Sequence, residues 1–251
     1  MRLGIHSIIA ITICVTSQMS RSEAAEIRLG TTRAVAIILS EVGTQFEQST
    51  GNTLKVVSDL GPNIVKRIDA GEKFDLVIVG PAQIDELIKA GRLVAATRTA
   101  IVRSGIGVEV RIGAPKPDIT SVDAFKAAIL AAKSIGYLKE GASGVYIAGM
   151  LERLGIADAI REKVTRPDTD IVSELVAEGK IELGMVVSTQ ILTTKGVTLL
   201  GPLPPELQYY IIFFGAISSD SPFPDAAKSL VEFLKGPAVL PTIKSQGMEP
   251  G

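Results

Sequence analysis

Cysteine and histidine each occur once in this chain, as Cys14 and His6, and tryptophan does not occur. Both single residues lie in an N-terminal stretch where Met1-Arg2 leads an apolar run from Leu3 to Val15. Ser22 and Ala24 then place small residues three and one positions before a cut after Ala24. A basic start, an apolar run and a small-residue cleavage site are the layout of a secretory signal peptide. Cys14 follows Ile13 inside the apolar run, so it does not read as a lipoprotein acceptor. Cleavage leaves no Cys, His or Trp, which excludes disulfides, thiolate and imidazole metal sites, Ser-His-Asp and Cys-His catalysis, and any imidazole base. No metal and no cofactor are therefore expected.

Long hydrophobic runs are lacking too. The first run falls short of the roughly 18 to 20 residues a spanning helix needs, and no later run reaches that length. The expectation is an exported, periplasmic protein whose processed chain does not insert in a membrane. An excess of one charge is also missing: 26 Lys and Arg stand against 27 Asp and Glu. Without a net positive charge or a basic cluster, nothing points to nucleic acid. Aromatics are scarce at 4% while hydrophobic residues reach 46%, which suits aliphatic α/β packing.

What is present is a repeated alternation of strand and helix. In "LGTTRAVAIIL", residues Glu26 to Gly30 read as a strand, and Val35, Ile38, Leu39, Val42 and Phe46 recur at helical spacing. Leu54 to Val57 followed by Ile64, Val65 and Ile68, then "DLVIVG" followed by a helix stopped at Gly91, repeat the unit. That order predicts a parallel sheet flanked by helices, with ligands gathering at the carboxyl ends of the strands. Three strand-to-helix turns then face one way: Thr31-Thr32-Arg33, Asp59 to Asn63 through Gly61 and Pro62, and Gly80 to Gln83.

Residues Thr97 to Ile112 read as one long extended segment suited to crossing between lobes. A second α/β series follows, and the strand Tyr209 to Ser218 with its terminal helices is expected to return to the first lobe. The reading is a two-lobe α/β fold with a cleft: residues 1–24 signal, 25–102 and 206–251 lobe 1, and 103–205 lobe 2.

The order of "TQFEQSTG", "IDAGEKFDLVIVG", "GASGVYIAGMLERLG", "VAEGKIELGMVVSTQIL" and "LVEFLKGP" resembles the periplasmic molybdate-binding protein family. That family is a branch of the type II solute-binding proteins that serve ABC importers. The resemblance implies a two-lobe periplasmic-binding-protein-like fold, a small anionic ligand, an ABC permease as partner, and a monomer. It implies Ser hydroxyls and backbone N–H groups in the first two turns, and a Tyr late in the second lobe, as oxyanion ligands. Here the turns carry Thr31-Thr32-Arg33 and Gly61-Pro62-Asn63, the Tyr position holds Val187, and the following Thr-Asp reads Thr189-Gln190. Ser143 and Gly144 occupy the loop that supplies backbone donors in the family.

The planar, bidentate fork of Arg suits an organic di- or tricarboxylate better than a small inorganic oxyanion, which neutral donors alone can hold. Arg33 and Arg103 are the expected clamps, with Arg166 as a third candidate. Thr169, Ser188 and Thr189 complete the candidate ligand set. The leading reading is capture of such an anion for ABC-type uptake. The stretch "RSGIGVEVRIGAPKPD" is similar to an isomerase subgroup, the aconitate isomerases. In an enzyme of that type the proton carrier would be Asp59, Lys139, Tyr137 or Glu140. A third reading is a molybdate or tungstate binder using Thr31, Thr32 and Ser143. On the first reading, Arg33→Ala abolishes organic-anion binding and barely changes stability.

Overall fold

A computed structural model describes residues 24–251 of the protein. The export-signal reading, with His6 and Cys14, lies outside the described residues. Strand β1 (Glu26–Thr31) pairs in parallel with β2 (Thr53–Ser58) on one side and with β3 (Leu76–Val79) on the other. Each strand feeds a helix: α1 (Arg33–Thr50), α2 (Gly61–Asp69) and α3 (Pro81–Lys89). The face of α1 that the spacing predicts, Val35, Ile38, Leu39, Val42 and Phe46, is buried. Full burial of one such side chain is worth about 1.5–3 kcal/mol. Gly51 ends α1 at φ 77°, returning its N–H to Glu47 O.

Strand β4 (Thr99–Arg111) joins the two lobes. Its first half pairs antiparallel with β9 (Tyr210–Ile217) and β10 (Met248–Pro250), and β9 pairs in turn with β3. Its second half pairs antiparallel with β7 (Leu183–Val187) and β8 (Val197–Pro202), and β5 (Ile135–Gly136) joins β7 to β6 (Val164–Thr165). One curled mixed sheet thus runs β2-β1-β3-β9-β4-β7-β5-β6 through both lobes. The second lobe carries α4 (Val122–Ala131), α5 (Gly141–Arg153), α6 (Ala157–Ile160), α7 (Val172–Ala177) and α8 (Ser188–Thr193). Helices α9 (Pro224–Lys235) and α10 (Leu240–Ser245) follow β9, with Phe233 of α9 meeting Phe46 of α1 at 5.4 Å between ring centroids.

Strands β5, β8 and β10 depart from the sequence reading. The strand expected across "SIGYL" is only Ile135–Gly136, and β8 and β10 were not anticipated. Both unanticipated strands lie on β4 and contain Pro, and β8 also contains Gly, residues that weaken a strand pattern and belong to sheet edges. No helix among the described residues is long and apolar enough to cross a membrane.

Candidate functional site

The first turns of α1 and α5 face each other across a cavity of about 60 Å³ between the lobes. Thr32, Arg33 and Ala34 come from α1, and Gly141, Ala142 and Ser143 from α5. Neither helix has a side-chain cap, so first-turn N–H groups and the positive end of each dipole are directed at the cavity. A side-chain cap is found on only one α-helix among the described residues, α4, where Ser121 Oγ accepts from Ala124 N at 3.2 Å, so what distinguishes α1 and α5 is that both starts line one cavity. Asp59 and Leu60 border the cavity at the entrance to α2, and Val187 and Gln190 border it from the second lobe. The cavity opens toward a groove of about 700 Å³ with which it shares Gly141, Ala142 and Ile211. Pro62 of α2 and Pro81 of α3 line that groove, opposite Val145 and Tyr146 of α5.

Position in this site depends on two α5 glycines. Gly141 has φ +87°, a conformation that side chains resist, and a Cβ on Gly144 would stand 2.2 Å from Leu138 O. Gly144 therefore acts as spacing, letting the α5 entrance close on the loop beside the cavity.

Arg33 does not end in open space. Its Nη1 donates to Asp170 O at 2.9 Å and pairs with Glu174 Oε1 at 2.7 Å, while Nη2 reaches Thr194 Oγ1 at 3.4 Å. The guanidinium of the first lobe is thus held by the second. Glu109, fully buried on β4, accepts from Ser173 Oγ at 2.8 Å. Burial pushes the Glu109 carboxyl up to about 7; the Ser173 bond and Arg33 oppose this, and Glu174 and Asp170 add to it. Burial likewise raises Asp170 above the usual carboxylate range, against the pull of Arg33 and Gln190 and with the push of Glu174. These carboxylates do not form a metal site: no group of three His, Cys, Asp or Glu among the described residues is arranged to hold an ion.

Five buried polar atoms in this region lack hydrogen-bond partners: Thr32 Oγ1, Glu109 Oε2, Asp170 Oδ1, Glu174 Oε2 and Gln190 Nε2. Thr32, Asp170 and Gln190 line the cavity itself. Unsatisfied buried groups are costly and rare in native proteins, so three of them at one cavity make it the candidate ligand site.

Of the residues singled out from sequence, Thr32, Arg33 and Ser143 meet at the cavity and Pro62 lines the groove. Gly61 and Gly80 flank the Gln83 side chain, which lies within 3.3 Å of a Cβ built on either, and Asn63 Nδ2 donates to Asp59 Oδ1 at 2.9 Å. Thr31 is fully buried and its hydroxyl donates to Ile78 O at 2.7 Å, serving the β1–β3 junction. Thr189 is buried against Ser104 Oγ at 3.2 Å, Ser188 lies behind the cavity near Gly107, and Thr169 is exposed.

Arg103, expected at the cleft, stands on the β4–β10 edge. Its Nε donates to Glu249 Oε2 at 2.9 Å and its guanidinium lies 5.1 Å from the Tyr210 ring centroid, because β-alternation points it away from the lobe interface. Arg166 covers Tyr137 at 5.2 Å, and both face a separate hollow behind α5. Among the proton-carrier candidates, Asp59 borders the cavity, and Lys139 and Glu140 line the groove, Lys139 paired with Asp168 at 3.0 Å.

Sequence reasoning missed Asp170, Gln190, Glu109 and Glu174. Glu109 had a signal: a lone carboxylate amid "GIGVEV", where every neighbour is apolar or Gly. Gln190 had one too, as the residue standing for an Asp in the family pattern.

Comparison with known proteins establishes the fold and the family. Over 218 residues the chain is 29% identical to aconitate isomerase of Pseudomonas sp, covering 84% of this chain and 83% of the relative. It is 27% identical over 241 residues to the molybdate-binding protein ModA of Azotobacter vinelandii, covering 90% of each. The solved structure of the Azotobacter vinelandii periplasmic molybdate-binding protein superposes with a TM-score of 0.76 at 18% identity, over 90% of this chain and 99% of that one. The sequence pattern of the bacterial extracellular solute-binding proteins matches residues 27–249, and the chain belongs to that family.

Proposed function

We propose that the protein captures a small organic anion, a di- or tricarboxylate, in the cleft between its lobes and delivers it to an ABC-type permease. Membership of the extracellular solute-binding family supports a periplasmic setting and a permease partner. The observation that carries the ligand class is the pair of helix starts, α1 and α5, that meet at the cavity, with the groove continuing from it. Helix N-termini favour any anion, and Arg33, held by Asp170 O and Glu174 Oε1, adds positive charge beside them. The cavity of about 60 Å³ suits one anionic group, and the adjoining groove accommodates the remainder of a longer acid. An inorganic oxyanion would leave the groove unused.

A thermal-shift screen of the purified protein against citrate, cis- and trans-aconitate, molybdate and tungstate tests this reading. A ligand bound only by the folded state raises the midpoint. The expected outcome is a rise with one or more of the carboxylates. A rise with molybdate or tungstate alone contradicts the reading.

Asp170 favours a second reading. A carboxyl with a raised pKa and an unpartnered oxygen at the cavity wall is equipped to move a proton, as an isomerase acting on aconitate requires. The identity to aconitate isomerase supports the same reading. Incubating the protein with cis-aconitate and following trans-aconitate by proton NMR tests it, and absence of interconversion at high protein concentration rules it out.

A further inference from the structure

Resting on the reading of the cleft as a carboxylate site, we infer that Asp170 binds the ligand by sharing a proton with it, so that a fully ionised carboxylate is bound together with a proton. The geometry is that of a polar wall awaiting a partner. Gln190 is 2% exposed, lines the cavity, and leaves its Nε2 without a hydrogen bond. Beside it Asp170 leaves Oδ1 unpartnered, the two side chains facing each other without closing a bond of regular geometry. Thr32 Oγ1 is open from the opposite lobe.

These three groups make different demands on a ligand. The amide N–H donates, and the Thr hydroxyl donates or accepts. An ionised Asp170 only accepts, so it repels an oxyanion that brings no proton. With one proton between them, Asp170 and a ligand carboxylate form a short charge-assisted hydrogen bond in place of a repulsion.

The surroundings favour the shared proton at Asp170. Arg33 of α1 binds the Asp170 backbone carbonyl and the Glu174 carboxylate of α7, so it is largely engaged. Glu109 of β4 lies behind, bonded to Ser173, and Asp59 borders the cavity from the entrance to α2. The nearby Lys139 is paired with Asp168. Burial among these carboxylates raises the proton affinity of Asp170.

Calorimetric titration of citrate, fully ionised at pH 8, in Tris and in HEPES reads the proton directly from the difference in observed heat. The expected result is uptake approaching one proton per citrate at pH 8. The affinity should fall up to tenfold per pH unit across the range in which free Asp170 is ionised. In Asp170→Asn the uptake vanishes and the pH dependence flattens. Glu109→Gln, which leaves the cavity wall intact, keeps the uptake. Citrate binding to the wild type without proton uptake overturns this inference alone, as does uptake that persists in Asp170→Asn and is lost in Glu109→Gln. Failure of every carboxylate to bind overturns the underlying reading of the cleft, and this inference with it.

Discussion

Arg33 carries two duties that a sequence reading separates and the structure joins. It stands at the cavity-facing start of α1 and is also the cation that acts on Glu109, Asp170 and Glu174. Arg33→Ala is therefore expected to cost about 1 kcal/mol of stability, because it removes the partly exposed ion pair with Glu174 and the bond to the Asp170 backbone carbonyl. Urea denaturation of the variant separates this outcome from the nearly silent change that the sequence alone suggests. Glu109 gives a second residue-scale prediction. Its folded pKa of about 7 exceeds the ordinary value of 4.5, so the folded state holds the proton more tightly than the unfolded one. This contribution to stability is full below pH 4.5, declines as pH rises to about 7, and stays lost above, on the order of 3 kcal/mol in all. Glu109→Gln should flatten the curve of denaturation free energy against pH over that window and stabilise the protein at pH 8 relative to the wild type. An unchanged slope would show that Glu109 is not the buried titrating group.

At the scale of elements, the start of α5 is held against the 138–140 loop by the lack of a side chain at Gly144. A Cβ there would press on the Leu138 carbonyl, which is backbone and cannot rotate away. Gly144→Ala is expected to destabilise by about 1–3 kcal/mol through the forced shift. It should also weaken anion binding several-fold, since the shift displaces the first-turn N–H groups of α5; parallel denaturation and ligand titration check both. Elements with a clear period were legible in the sequence: the α1 face, the buried run of β3 and the long strand β4 all follow from spacing and apolar content. Strands β8 and β10 were not, because a short edge strand interrupted by Pro owes its place to β4 rather than to its own pattern. The site divides in the same way. Thr32, Arg33 and Ser143 sit at strand-to-helix turns that topology brings together, so their place could be argued locally. Asp170 and Gln190 reach the cavity through long-range contact with Arg33 and with the first lobe, which no local pattern encodes. Arg103 shows the converse, a charge at a plausible crossing whose orientation was decided by which side of β4 faces β10.

For the whole molecule, the lobes meet at a polar seam in which one lobe supplies Arg33 and Thr32 and the other supplies Asp170, Glu174 and Gln190. On the proposed reading, ligand and seam are coupled: an anion entering from the groove would bear on contacts that hold the lobes together. Closure should tighten when a carboxylate is bound, seen as a smaller radius of gyration in small-angle X-ray scattering on adding saturating ligand. The central claim, that the inter-lobe cavity is a carboxylate site organised by Arg33, is tested most directly by calorimetry of citrate and trans-aconitate against the wild type and Arg33→Ala. The account predicts one-to-one binding of at least one of these acids to the wild type, weakened tenfold or more in the folded variant. Equal affinity in the two proteins, or binding of molybdate with neither acid bound, would contradict it.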